Sequence, residues 1–162
     1  MRLRKPWIAT LLLPAAICAP MAGQLNSLSG VLSVTPPKLV TGKHNQTVAA
    51  DIKLELRQGY HVNSDKPTDP YLIPLKLTWT PGTAEPAGVE FPQPLMQKFS
   101  FSDKPLSVFE GDFKVTAKFK IPANAPVGPS KLEGKLRYQA CNDRMCLPPR
   151  TLDVIVPLEI QN

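Results

Sequence analysis

Thr47-Val48-Ala49-Ala50-Asp51-Ile52-Lys53-Leu54-Glu55-Leu56-Arg57 is the stretch that decides the fold. Apolar side chains stand at Val48, Ala50, Ile52, Leu54 and Leu56, and polar or small ones fall between them. A period of two puts one set in a core and the other in water, which describes a half-buried β-strand. The same period recurs downstream. Ile73, Leu75, Leu77 and Trp79 share a face, with Lys76 and Thr78 opposite. Phe113, Val115, Ala117, Phe119 and Ile121 alternate with Lys114, Thr116, Lys118 and Lys120. Leu132, Leu136, Tyr138 and Ala140 alternate with Lys131, Glu133, Lys135, Arg137 and Gln139, and Leu152, Val154, Val156, Leu158 and Ile160 close the chain in the same way. Weaker strands fit residues 31–35, 60–63 and 88–91. Prolines and glycines fill the gaps. With 19 prolines and no apolar i, i+3, i+4 stretch, a long helix is not expected. Seven or eight short strands at near-regular spacing predict an all-β fold, an immunoglobulin-like antiparallel β-sandwich, with a small barrel as the other solution. The longest gap, residues 92–106, is Phe-rich and irregular, and long loops in compact domains are often functional.

The N-terminus reads differently. Arg2, Arg4 and Lys5 form a basic head, residues 8–17 are almost wholly apolar, and Ala19, Ala22 and Gly23 follow. That order predicts a secretory signal peptide over residues 1–23, leaving residues 24–162 as one domain in an exported, periplasm-type compartment. The apolar run is shorter than the about 20 residues a membrane span needs, and no later segment resembles one. Cys18 is expected to leave with the signal. A lipidation site wants a small residue before its cysteine, and Ile17 stands there. Removing the signal lowers the formal charge from +6 to about +3 and the cysteine count from three to two. A weak positive balance without basic runs interleaved with aromatics argues against nucleic acid. About 140 residues can bury a core without covalent staples.

The two remaining cysteines lie in Tyr138-Gln139-Ala140-Cys141-Asn142-Asp143-Arg144-Met145-Cys146-Leu147-Pro148-Pro149. A patterned strand enters the segment and another leaves it. The simplest geometry is a hairpin with the cysteines at the base of its loop, within the about 4.4–6.8 Å between Cα atoms that a disulfide requires. Closing so short a loop stabilises little, about 2 kcal/mol on the chain-entropy account. A structural staple and a redox pair both fit the spacing. Arg144 between the thiols would favour a thiolate, and Asp143 would oppose it. His44 and His61 lack the paired spacing of zinc sites, so no metal or other cofactor is expected.

Tyr138-Gln139-Ala140-Cys141 followed by Cys146-Leu147-Pro148-Pro149 resembles the signature of the N-terminal periplasmic domain of the thiol:disulfide interchange protein DsbD family. Gly59-Tyr60-His61-Val62-Asn63-Ser64 with Lys66-Pro67, Val89-Glu90-Phe91-Pro92 and Val108-Phe109-Glu110-Gly111 resemble further segments of it. The resemblance implies an immunoglobulin-like domain that exchanges disulfides with other proteins. It implies that Cys146 forms the mixed disulfide and that Cys141 resolves it. It also implies a cap loop over the pair, here residues 98–103 with Phe99 and Phe101, and a pocket to which Tyr60, His61 and Tyr138 contribute. The implied partners are a thioredoxin-like protein or membrane thiol carrier as electron donor and periplasmic disulfide-bearing proteins as acceptors. The rival expectation is a binding or adaptor module with a structural disulfide. Two local departures stand out. Four residues separate the cysteines where the best-studied family pattern has five, and the cap segment lacks an acid–Phe–Tyr pattern, leaving Asp103 as a distant acidic group. The sequence ends at Asn162 without a transmembrane carrier or thioredoxin-like domain, so the expectation is a stand-alone domain whose donor is a separate protein.

Overall fold

The computed structural model describes residues 30–162; the expected signal peptide and Cys18 lie outside them. Twelve strands follow in order: β1 (Leu32–Thr35), β2 (Val40–Lys43), β3 (Thr47–Leu56), β4 (His61–Asn63), β5 (Lys76–Trp79), β6 (Glu85–Glu90), β7 (Leu95–Gln97), β8 (Leu106–Glu110), β9 (Phe113–Lys120), β10 (Gly128–Tyr138), β11 (Ala140–Cys141) and β12 (Arg150–Gln161). Among the described residues there is no helix, so none is long and apolar enough to cross a membrane.

The strands make three four-stranded sheets, ordered β1-β3-β9-β6, β2-β12-β10-β5 and β11-β4-β8-β7. The first two are the layers of an immunoglobulin-like sandwich. Every second residue of β3 is buried, from Val48 to Leu56, and Val115, Ala117 and Phe119 of β9 lie beside them. Leu132, Leu136, Val154, Val156 and Leu158 of the second sheet enter the same core, which gives each layer the apolar face it must cover. The third sheet adds Val62, Phe109 and Ala140 to that core. It also builds a small satellite core of Phe99, Leu106 and Val108, with Leu72 against it.

One position in β10 interrupts its apolar row. Gly134 faces inward beside Trp79, and a Cβ there would stand 2.7 Å from the indole Cε3 and 3.0 Å from the Thr78 carbonyl oxygen. The missing side chain is the space the Trp79 ring occupies, and that ring meets Phe119 edge-on at 4.7 Å. Gly134→Val therefore overfills the core. It is expected to destabilise the domain by about 2 kcal/mol or more in urea unfolding; an unchanged midpoint would mean that Trp79 swings away freely.

Candidate functional site

β10 and β12 do form the expected hairpin, paired from Gly128 opposite Ile160 to Tyr138 opposite Arg150. The cysteines are not on that ladder. Past Tyr138 the chain crosses to the third sheet, where β11 pairs antiparallel with β4 and sets Cys141 opposite His61. The chain then turns through residues 142–145. The Asn142 amide donates to the Met145 carbonyl at 2.9 Å, and the Leu147 amide to the Ala140 carbonyl at 2.8 Å. These bonds flank Cys141 and Cys146, which therefore face each other as a non-hydrogen-bonded antiparallel pair, where side chains come closest. The pair is disulfide-bonded, with a Cα separation of 3.9 Å. This is shorter than the range expected from disulfides in general, because the cysteines are cross-strand neighbours of a tight turn. Asn142 fixes that turn by accepting the amides of Arg144 and Met145 on its Oδ1, both at 2.9 Å.

The two sulfurs are held in unlike surroundings. Cys141 is 1 % exposed, whereas Cys146 and its neighbour Met145 are exposed. Beside the buried cysteine stands an aromatic stack. The His61 ring lies on Phe99 with centroids 4.0 Å apart, and Phe99 lies on Phe101 at 5.3 Å. Phe99 is buried in the satellite core, while Phe101 is 44 % exposed. Residues 98–103 form a compact loop closed by Lys98 Nζ donating to the Asp103 carbonyl, with the Ser102 amide donating to the Phe99 carbonyl at 3.2 Å. The loop touches the cysteine turn through Ser100 Oγ, which donates to the Asp143 carbonyl at 3.4 Å.

His61 is itself buried, and its Nε2 has no hydrogen-bond partner. Burial lowers its pKa below the ordinary imidazole value, and the nearby Asp143 charge pulls the other way. Tyr60 borders two depressions. On one side it shares a cleft with His61, Glu110 and Asp143. On the other it shares a cavity of about 240 Å³ with Tyr138, Ala140 and Leu147. Tyr138 thus lies away from the aromatic stack, its buried hydroxyl without a partner. His44 is elsewhere, its ring Nε2 2.8 Å from the Ala125 carbonyl oxygen. Ser100, Asp143 and Glu110 were not singled out among the site residues, although Asp143 lies between the cysteines, Ser100 within the expected cap loop and Glu110 within the family-like segment at residues 108–111.

The model of the family described as thiol:disulfide interchange protein DsbD, N-terminal, matches residues 32–157. The chain belongs to the DsbD N-terminal family. That match spans every strand described above except the last residues of β12. Among solved structures, the N-terminal periplasmic domain of ScsB from Proteus mirabilis is similar at 13% identity with a TM-score of 0.52, over 74% of this chain and 43% of that one. A likeness at that identity concerns the fold, and the chain spans less than half of the ScsB domain's length. AggA, the major subunit of aggregative adherence fimbriae type I from Escherichia coli, aligns at 10% identity with a TM-score of only 0.35, over 80% of this chain and 93% of that one. No curated protein matches the chain in sequence. Membership of the DsbD N-terminal family points to thiol–disulfide exchange, and the cysteine pair that such chemistry needs is present.

Proposed function

We propose that this DsbD N-terminal domain relays reducing equivalents in the periplasm through the Cys141–Cys146 pair. The observation that carries the proposal is the unequal exposure of the two cysteines within one short disulfide. Exchange proceeds by attack of a thiolate on a disulfide sulfur, with the second sulfur as leaving group. Cys146, exposed at the turn, is the sulfur a partner reaches first. Cys141, held on β11, is the sulfur that leaves or resolves. Phe99 and Phe101 limit access to the buried side of the pair, and Ser100 ties their loop to the turn. The partners are a thioredoxin-like protein or membrane thiol carrier on one side and periplasmic disulfide-bearing proteins on the other. A signal peptide over residues 1–23 and a single domain over residues 24–162 complete this proposal.

The test is the reduction potential of the pair, measured by equilibrating the protein with glutathione or dithiothreitol buffers. A value above about −250 mV is expected and would place the pair among exchange-active ones. A value below about −300 mV would mark a structural disulfide and leave a binding or adaptor module as the better account.

A further inference from the structure

We propose that His61 carries the proton of the Cys141 thiol, accepting it when Cys141 attacks and returning it when Cys141 leaves. This rests on the exchange function proposed above. Three strands place one residue each in a single row: Cys141 on β11 is opposite His61 on β4, and His61 is opposite Glu110 on β8. Directly opposed residues share a face, with Cβ atoms about 5 Å apart. His61 thus stands on the strand between the one that carries the buried cysteine and the one that carries the exposed carboxylate.

The chemistry calls for such a group. Cys141 is 1 % exposed. A thiol so buried has little access to water as a base, and its apolar surroundings disfavour the thiolate. The groups facing His61 are Cys141, Glu110, Asp143 on the turn and Phe99 of the cap loop. Glu110 is exposed. The ring nitrogen Nε2 is buried and without a partner, and desolvation keeps the ring neutral at neutral pH, so it can accept a proton.

The Cys146 thiolate attacks a partner disulfide, forming a Cys146–partner disulfide and releasing one partner thiolate. His61 takes the proton from Cys141 Sγ as that sulfur attacks Cys146 Sγ. The Cys141–Cys146 disulfide forms, the second partner thiolate leaves, and the imidazolium gives up its proton to that thiolate or to water. Two electrons pass from the domain to the partner. In the reverse direction, His61 protonates Cys141 as it is displaced.

Reduced protein mixed with dithiobis(nitrobenzoate) reports the two steps separately. The first thionitrobenzoate released marks attack by Cys146, and the second marks resolution by Cys141. In His61→Gln, the second release is expected to slow by roughly 100-fold while the first persists. The wild-type second step should stay level with pH from neutrality to below the usual imidazole pKa, whereas the variant's should rise about tenfold per pH unit as the free thiolate fraction does. Equal second-step rates and pH profiles in the two proteins would overturn the role of His61 and leave the relay intact. No second release from the wild-type protein would overturn both. Should His61→Gln fail to fold, the wild-type profile alone decides: a tenfold rise per pH unit through neutrality would exclude His61 as the base.

Discussion

Cys146→Ala is expected to abolish disulfide exchange, and Cys141→Ala is expected to trap a mixed disulfide with a partner. The two cysteines are one short turn apart and differ in almost nothing but surroundings. Cys146 is exposed, with the exposed Met145 beside it. Cys141 is on β11 against His61, out of reach of a second protein. Removing Cys146 therefore removes the sulfur that a partner can meet, and the remaining thiol stays shielded. Removing Cys141 leaves the first step intact and deletes the second, so the covalent intermediate accumulates. The contrast is read on non-reducing gels of each variant incubated with periplasmic extract, with trapped bands identified by mass spectrometry. Loss of the disulfide should cost the fold only about 2 kcal/mol, because so short a loop constrains the unfolded chain little. Two variants that bind partners alike, with no trapped species, would sink the relay and favour a structural disulfide.

The two roles are implied by the family resemblance, but the unequal exposure behind them was not legible in the residue pattern, and the reason is physical. Period-two alternation reports which face of a strand is buried, and it reports it well where one face is wet. β3, β9, β10 and β12 were readable for this reason. β8 was not, because Leu106, Ser107, Val108 and Phe109 are all buried and the run does not alternate. β7 was lost inside the gap assigned as irregular, with only three residues paired to β8. β2 carries Gly42 at its buried position, where a Cβ would lie 2.5 Å from Val48 Cγ1, so the apolar pattern breaks where the packing is tightest. The expected strand at residues 73–79 begins only at Lys76. The Asn63 side-chain amide donates to the Ile73 carbonyl at 3.0 Å instead.

The site divides in the same way. Cysteine spacing and the aromatics of residues 98–103 could be picked out as chemistry-bearing. Their arrangement depends on β11 leaving the hairpin for the third sheet, and a two-residue strand has no pattern to read. The opposition of Cys141 and His61 joins positions 80 residues apart in sequence, so only the pairing of β11 with β4 creates it. Of the three residues read as lining a pocket, Tyr60 and Tyr138 share one cavity, and Tyr60 and His61 share a neighbouring cleft.

Phe99→Ala is expected to loosen the cap loop and expose the disulfide, with a large loss of local stability. Phe99 is 6 % exposed and packs with Leu106 and Val108 in a core of only a few side chains, so its removal leaves a void that few neighbours can fill. Buried Phe→Ala changes cost about 3–5 kcal/mol. Here the loss should fall on the loop and the third sheet, because the main sandwich core is built from other residues. Each 1.4 kcal/mol taken from loop closure raises the open population about tenfold. Reduction of Cys141–Cys146 by dithiothreitol should therefore speed up by roughly tenfold or more in Phe99→Ala. Phe101→Ala removes a half-exposed ring from the outer end of the stack and should leave stability nearly unchanged with a smaller gain in rate. Hydrogen exchange over residues 98–103 and stopped-flow reduction kinetics measure both effects. If Phe99→Ala lowers stability while the disulfide is reduced at the wild-type rate, the phenylalanine packs the sheet without shielding the pair, and access to the cysteines is set by the turn at residues 142–145 alone.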